Sequence, residues 1–113
     1  MVIDETMVEW AGATTGHITF LPRKPTPLGF MMKTLVCAES QVMVNAELCE
    51  GAELEKTKKY VAEYNATTAC TLRVTEPYHN EGRIVVGDAW FGSLRTAAAL
   101  KERNTYAVLN LKL

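Results

Sequence analysis

An α/β domain with a mixed sheet is predicted by three observations. Residues 30–38 and 41–49 read as strands separated by Glu39-Ser40, which fits a tight turn and therefore an antiparallel hairpin. The apolar run Ile84-Val85-Val86 stops at Gly87 and Asp88, and Ser93 then opens an alanine-rich helix to about Arg103. Residues 105–113 return as a strand after so short a crossover that parallel pairing with the Ile84 strand is expected. A chain of 113 residues suffices for one small domain with one core.

Composition narrows the function classes. Hydrophobic residues are 48% and charged residues 22%, the balance of an ordinary globular chain. The net charge of -1 argues against tight, autonomous DNA binding, which usually shows as a basic excess or stripe. No apolar run reaches the roughly 20 residues of a membrane span, and the first residues lack a signal-peptide pattern. Cys37, Cys49 and Cys70 have no C-x-x-C spacing, so they are expected to be reduced thiols packed as small hydrophobes in an intracellular protein.

Taken in order, Val2-Ile3 read as the tail of a strand that ends at Asp4. A domain that opens inside a strand predicts a chain belonging to something longer. Residues 9–16, with Trp10, Gly12 and Gly16, read as a loop, and period-two alternation predicts a short strand over 17–21 with Ile18 and Phe20 on one face. Pro22, Pro25 and Pro27 exclude a helix in the next turn, which is basic at Arg23 and Lys24. The hairpin follows. Leu54, Val61 and Tyr64 share one helical face, so a helix is predicted over 53–65, ended by Asn65, with Lys56, Lys58 and Lys59 on a solvated side. Residues 66–76 are ambiguous: the threonines and Val74 lean to strand, while Ala69, Leu72 and Arg73 allow a second helix, and Pro77 ends either. Lys101 and Arg103 suit the last turn of the Ser93 helix, with Asn104 as its left-handed cap.

The candidate chemistry rests on Asp4 and Asp88, which share one context, an apolar strand running into an acid. The carboxyl end of a strand before a helix is a common place for chemistry in α/β folds. If the two strands are neighbours, the acids meet at one edge and are comfortable there with a divalent cation between them. Asp88 fits a plain turn cap as well, Asp4 fits a solvated acid, and two acids 84 positions apart are not in themselves a motif. His17 and His79 lack metal-ligand spacing, Ser93 has no evident histidine partner, and the glycines beside Asp88 lack the lysine of a phosphate loop. Arg23, Lys24 and Lys33 suit contacts to nucleic-acid phosphates, or else a solvated turn. Trp10 and Trp90 suit base stacking, with core packing favoured for Trp90.

The run Asp88-Ala89-Trp90-Phe91-Gly92-Ser93 resembles the acid–x–aromatic–Phe–x–Ser signature of piggyBac-type transposases. Ile3-Asp4-Glu5-Thr6-Met7 resembles the family's first catalytic acid, an Asp-Glu pair followed closely by methionine. Pro22-Arg23-Lys24-Pro25 with Leu28-Gly29-Phe30 resembles its proline-bracketed basic turn and second strand. Leu72 with Glu76-Pro77 is similar to the helix before the second acid, and residues 94–112 to the segment after it. The likeness spans essentially the whole chain. At Gly12-Ala13 the family's usual glycine–arginine turn is missing, so residues 11–16 stand outside it.

This resemblance implies a ribonuclease H-like mixed sheet, three antiparallel strands and then parallel strands with helices, present here incompletely. It implies that residues 1–113 form a single partial transposase catalytic core ending before the third catalytic acid. It implies Asp4 and Asp88 as catalytic residues and ligands of Mg2+ in a two-metal site, acting in DNA strand cleavage and transfer. Transposon-end DNA, a homodimer in the full-length family and a nuclear location are implied with them. Lacking the third acid, the chain alone is expected to be inactive or nearly so. The alternative is a non-catalytic, domesticated remnant acting as a protein- or DNA-binding module.

Overall fold

Ile3 and Leu35 face each other across an antiparallel register, and the sheet extends on both sides of that pair. The computed structural model describes residues 1–9, 18–20, 28–50 and 52–110. The strands are β1 (Val2–Glu9), β2 (Ile18–Phe20), β3 (Leu28–Val36), β4 (Met43–Leu48), β5 (Ile84–Gly87) and β6 (Tyr106–Leu109). β3 pairs antiparallel with β1 along one edge, and with β2 and then β4 along the other. β5 joins β1 in parallel and β6 joins β5 in parallel, giving the order β2-β3-β1-β5-β6 with β4 also on β3. This is the expected mixed sheet, an antiparallel block of β4, β3 and β1 followed by two parallel strands.

Several expected elements fall wholly or partly outside the described residues. They are the loop with Trp10, the proline-bracketed turn with Arg23 and Lys24, His17 and Leu21 at the ends of the short strand, and residues 111–113 of the last strand. The hairpin forms as expected: the Cys37 amide donates to the Val42 carbonyl at 2.9 Å, and Gln41 supplies a positive φ of 60°.

Two sequence expectations give way between the hairpin and β5. The predicted helix over 53–65 is one turn only, α1 (Ala52–Glu55), followed by turns. The chain breaks from helix because Tyr60 takes φ 72° and because Lys58 turns inward. Its ammonium reaches Glu47 Oε1 at 3.1 Å, the Leu48 carbonyl at 2.8 Å and Glu55 Oε1 at 3.0 Å. Lys58 therefore does not belong to a solvated face. Asn65 does not end a helix but starts one: its side chain accepts the Thr68 amide at 2.8 Å as the N-cap of α2 (Ala66–Thr75).

The threonines that leaned residues 66–76 toward strand are satisfied inside that helix. Thr71 and Thr75 donate back to the carbonyls of Thr67 and Thr71, at 3.0 and 2.7 Å. Thr68 meets Thr96 hydroxyl to hydroxyl at 2.8 Å, binding α2 to α3 (Leu94–Lys101). A short 3-10 turn, Glu76–Tyr78, accommodates Pro77 in its first turn.

The core lies on one face of the sheet. Ile3, Leu35 and Val85 from the strands, Cys70, Leu72 and Val74 from α2, Ala99 and Leu100 from α3, and Phe91 are buried together. Each large side chain among them contributes about 1.5–3 kcal/mol by leaving water. Cys70 is buried as a small hydrophobe, and its surroundings push the thiol up to about 12, chiefly through desolvation. At the rim of this face Arg73 donates to both oxygens of Glu47, at 2.9 and 2.6 Å, and so ties α2 to β4. Across the sheet, Ile84, Val86, Tyr106 and Val108 are exposed, with Val108 60% accessible on the edge strand β6.

The crossing from β5 to α3 is made by two glycines. Gly87 sits between Ile3, Leu109 and the Phe91 side chain, where an added Cβ would come within 3.0 to 3.2 Å of all three. At Gly92 an added Cβ would overlap the Asn110 carbonyl, a backbone group that cannot swing aside. Ser93 then caps α3 by accepting the Thr96 amide at 3.0 Å, and Asn104 closes it with φ 50°.

Gly92→Ala should lower stability by about 1–3 kcal/mol, read as a lower denaturant midpoint at unchanged slope. Burial works to raise the Glu47 carboxyl, but hydrogen bonds and charge from Arg73 and Lys58 outweigh it and hold the group below its ordinary 4.5. A depressed carboxyl contributes stability above its unfolded value and loses it as pH falls through the folded one. Melting temperature should therefore drop as pH falls below about 4.5, and Glu47→Gln should flatten that acid limb. Ile84→Lys with Val108→Lys should suppress aggregation at an unchanged denaturant midpoint, measured by light scattering beside the melt.

Candidate active site

Parallel pairing brings the two acids to one place. Ile3 is the register partner of Gly87, so Asp4 and Asp88 are the next residues along two neighbouring strands running the same way. The pairing is reinforced at its start, where the Val86 amide donates to the Met1 carbonyl and the terminal amine to the Ile84 carbonyl, both at 2.8 Å. Asp88 stands at the carboxyl end of β5 as expected. Asp4 does not end its strand: β1 runs on to Glu9, because β3 pairs with it over its whole length.

Within β1 the alternation puts Ile3 in the core and exposes Asp4 on the opposite face. Asp88 is exposed too. Each carboxylate is oriented by a backbone amide close by. Asp4 Oδ1 accepts the Glu5 N–H at 2.8 Å, and Asp88 Oδ1 accepts the Trp90 N–H at 3.1 Å. Asp88 thus caps its own turn, in which the Phe91 amide also donates to the Asp88 carbonyl at 3.1 Å. Among the described residues, the second oxygen of each carboxylate carries no hydrogen bond, and neither acid forms an ion pair.

Two exposed acids on adjacent strands, neither in an ion pair among the described residues, suit a hard divalent ion. Among the described residues no group of three or more histidine, cysteine or acidic side chains is placed to hold a metal.

The Trp90-Phe91 pair divides its work differently from expectation. Phe91 is the core residue, fully buried beneath α3, whereas Trp90 is 45% exposed. The two rings meet edge to face at 4.7 Å. Lys33, expected among the phosphate contacts, is buried: its side chain is 6% accessible and its ammonium lies 3.0 Å from Glu5 Oε2. The same ammonium stands 3.6 Å from the centre of the Trp90 ring. Its charge is committed within the chain because the antiparallel register sets Lys33 opposite Glu5. Periodicity alone gave no sign of this cluster; the register of β1 on β3 would have. His79 is engaged with the Thr75 hydroxyl at 2.9 Å, and burial pushes its imidazole below its ordinary value, so it stands apart from the two acids.

Comparisons with known proteins bear on the fold and the family. No curated protein sequence matches the chain. A cryo-EM structure of the piggyBac transposase synaptic complex with hairpin DNA superimposes with a TM-score of 0.83 at 18% identity. The superposition covers 98% of this chain and 22% of the transposase chain, so this chain spans about a fifth of that protein's length. At that identity the likeness establishes the fold, which is the ribonuclease H-like arrangement implied by the resemblance to piggyBac-type transposases. The family model described as Transposase IS4 matches residues 1–112. With all but the last residue matched, the chain belongs to the Transposase IS4 family.

Proposed function

We propose that this chain supplies part of a DNA transposase catalytic core, with Asp4 and Asp88 as two acidic ligands of Mg2+. The observation that carries this reading is the parallel register of Ile3 with Gly87, which sets the two acids side by side, each with one carboxylate oxygen unengaged among the described residues. The match to the Transposase IS4 family model supports this reading, and the proposed reaction class is DNA strand cleavage and joining. The protein that this fold resembles was captured with hairpin DNA, so DNA is the proposed partner here.

When bound at such a site, Mg2+ activates an oxygen nucleophile and stabilises the leaving oxygen at phosphorus. The chain's own contribution is orientation. The Glu5 and Trp90 amides each hold one Oδ1, leaving the other oxygen of each acid directed by a fixed carboxylate plane. Arg23 and Lys24 are the proposed phosphate contacts, whereas Lys33 is taken up by Glu5 and Trp90. A complete core of this class draws on a third acid, and among the described residues no third acid joins the pair. The chain alone is therefore proposed to bind divalent metal weakly and to cleave DNA little or not at all. A homodimer and a nuclear location belong to the same proposal for the longer protein. No helix among the described residues is long and apolar enough to cross a membrane.

The net charge of -1 favours a second reading, a remnant of the core kept as a binding module for protein rather than DNA. Titration with Mn2+, a paramagnetic stand-in for Mg2+, separates the two. Saturable broadening of the amides around Asp4 and Asp88, weakened at least about tenfold by Asp88→Asn, is expected of the catalytic-core reading. Absence of broadening at millimolar Mn2+ would overturn it in favour of the binding module. Robust Mg2+-dependent cleavage of end-bearing DNA by the 113-residue chain, abolished by Asp88→Asn, would overturn the claim that it is inactive alone.

A further inference from the structure

We propose that Lys33 is a positioning residue for the Asp4–Asp88 pair, acting through Glu5 and the face of Trp90. The inference rests on the catalytic-core reading for its functional meaning, while its geometry stands independently of any metal.

The argument begins with how each acid is held. The amide that orients Asp4 belongs to Glu5, and the amide that orients Asp88 belongs to Trp90. The side chains of these same two residues converge on one ammonium. Lys33 Nζ is 3.0 Å from Glu5 Oε2 and 3.6 Å from the centre of the Trp90 ring, with Phe91 at 5.7 Å. A single buried cation thus joins the residue after the first acid to the residue two beyond the second.

Packing alone does not account for this arrangement. A buried lysine is costly to desolvate, and an apolar side chain of similar volume packs at least as stably in such a place. Trp90 leaves nearly half its surface in water, so apolar burial is not what determines its position. A cation over the face of an indole is attracted to the ring quadrupole, most strongly when the cation is shielded from water, as Lys33 is. Among the described residues, the Asp88 turn meets β1 through Gly87, the register partner of Ile3. It is pinned by Phe91 in the core and by Gly92 against Asn110, both beyond Trp90 in the chain. Among the described residues, the stretch from Asp88 to Trp90 is otherwise held by its own turn hydrogen bonds and by the edge-to-face contact of Trp90 with Phe91.

Amide hydrogen exchange and Mn2+ titration, both followed by NMR on the full chain, test the proposal. Trp90→Leu keeps every charge and replaces a half-exposed side chain, and unchanged protection at Val85 and Leu100 would show that the fold is intact. It should speed exchange at positions 90 and 91 about tenfold or more, whereas Trp90→Phe, which retains a ring face, should remain within about threefold of the parent. Lys33→Met should produce the same opening, and the double variant should open no further than either single one.

The metal readout gives an opposite sign to the two explanations of Lys33. Removing a positive charge near two carboxylates strengthens cation binding if the lysine acts only through its field. Positioning predicts weaker Mn2+ binding in Lys33→Met and, at unchanged charge, in Trp90→Leu. Unchanged exchange at positions 90 and 91 in both variants, or additive effects in the double variant, would overturn the proposal. If the parent chain binds no Mn2+, the metal reading fails, and the exchange data still decide whether Lys33 holds the turn.

Discussion

Two register pairs, Val2 with Val86 and Ile3 with Gly87, join the antiparallel half of the molecule to the parallel half. Parallel ladders are slightly weaker per residue than antiparallel ones, and this one is short. It is sustained by what packs over it. Ile3 and Val85 lie in the core beneath α2 and α3, and Phe91 closes over the glycine that ends β5. Were Gly87 to carry a side chain, Ile3, Leu109 or Phe91 would have to move. The position of Asp88 beside Asp4 is thus a consequence of close packing at a residue with no side chain.

A second set of constraints holds α2, which brings three residues to that core. Glu47 on β4 receives Arg73 from α2 and Lys58 from the turns between, and Asn45 on the same strand donates to the Val74 carbonyl at 2.8 Å. These bonds are at the rim and half-buried, where hydrogen bonds to charged groups are worth more than exposed ion pairs. They also explain why the segment after α1 is not helical: its lysine is needed inside. Tyr60 and Tyr64 then stack edge to face at 6.4 Å with Arg103 near both rings, joining this segment to the end of α3. The scaffold beneath the acids is therefore apolar at its centre and ionic at its margin.

Much of this was legible in the sequence wherever local rules act alone. The hairpin, the short apolar run of β5, Ser93 as a cap and Asn104 as a left-handed terminus all follow from turn chemistry and capping within a few residues. Misreadings arose where a distant partner overrode a local preference. Leu54, Val61 and Tyr64 have helical spacing, yet Lys58 is drawn to Glu47 and the helix stops after one turn. Residues 66–76 stood open between strand and helix; the helix forms, and its threonine hydroxyls donate to carbonyls one turn back. Core packing was favoured for Trp90, yet the turn geometry sent Phe91 inward and left Trp90 half-exposed over Lys33.

By itself the sequence determined the class of fold, the succession of most elements along the chain and the family likeness carried by the residues around Asp4 and Asp88, since each depends on patterns within short windows. The tertiary structure decided which strands are neighbours, and therefore that the two acids, 84 positions apart in the chain, follow one register pair. It also decided that the charge of Lys33 is spent on Glu5 and Trp90 rather than exposed beside the acids. The physical reason is common to both. Register and burial are set by contacts between segments far apart in the chain, and no local periodicity encodes which partner a strand or a charge will meet.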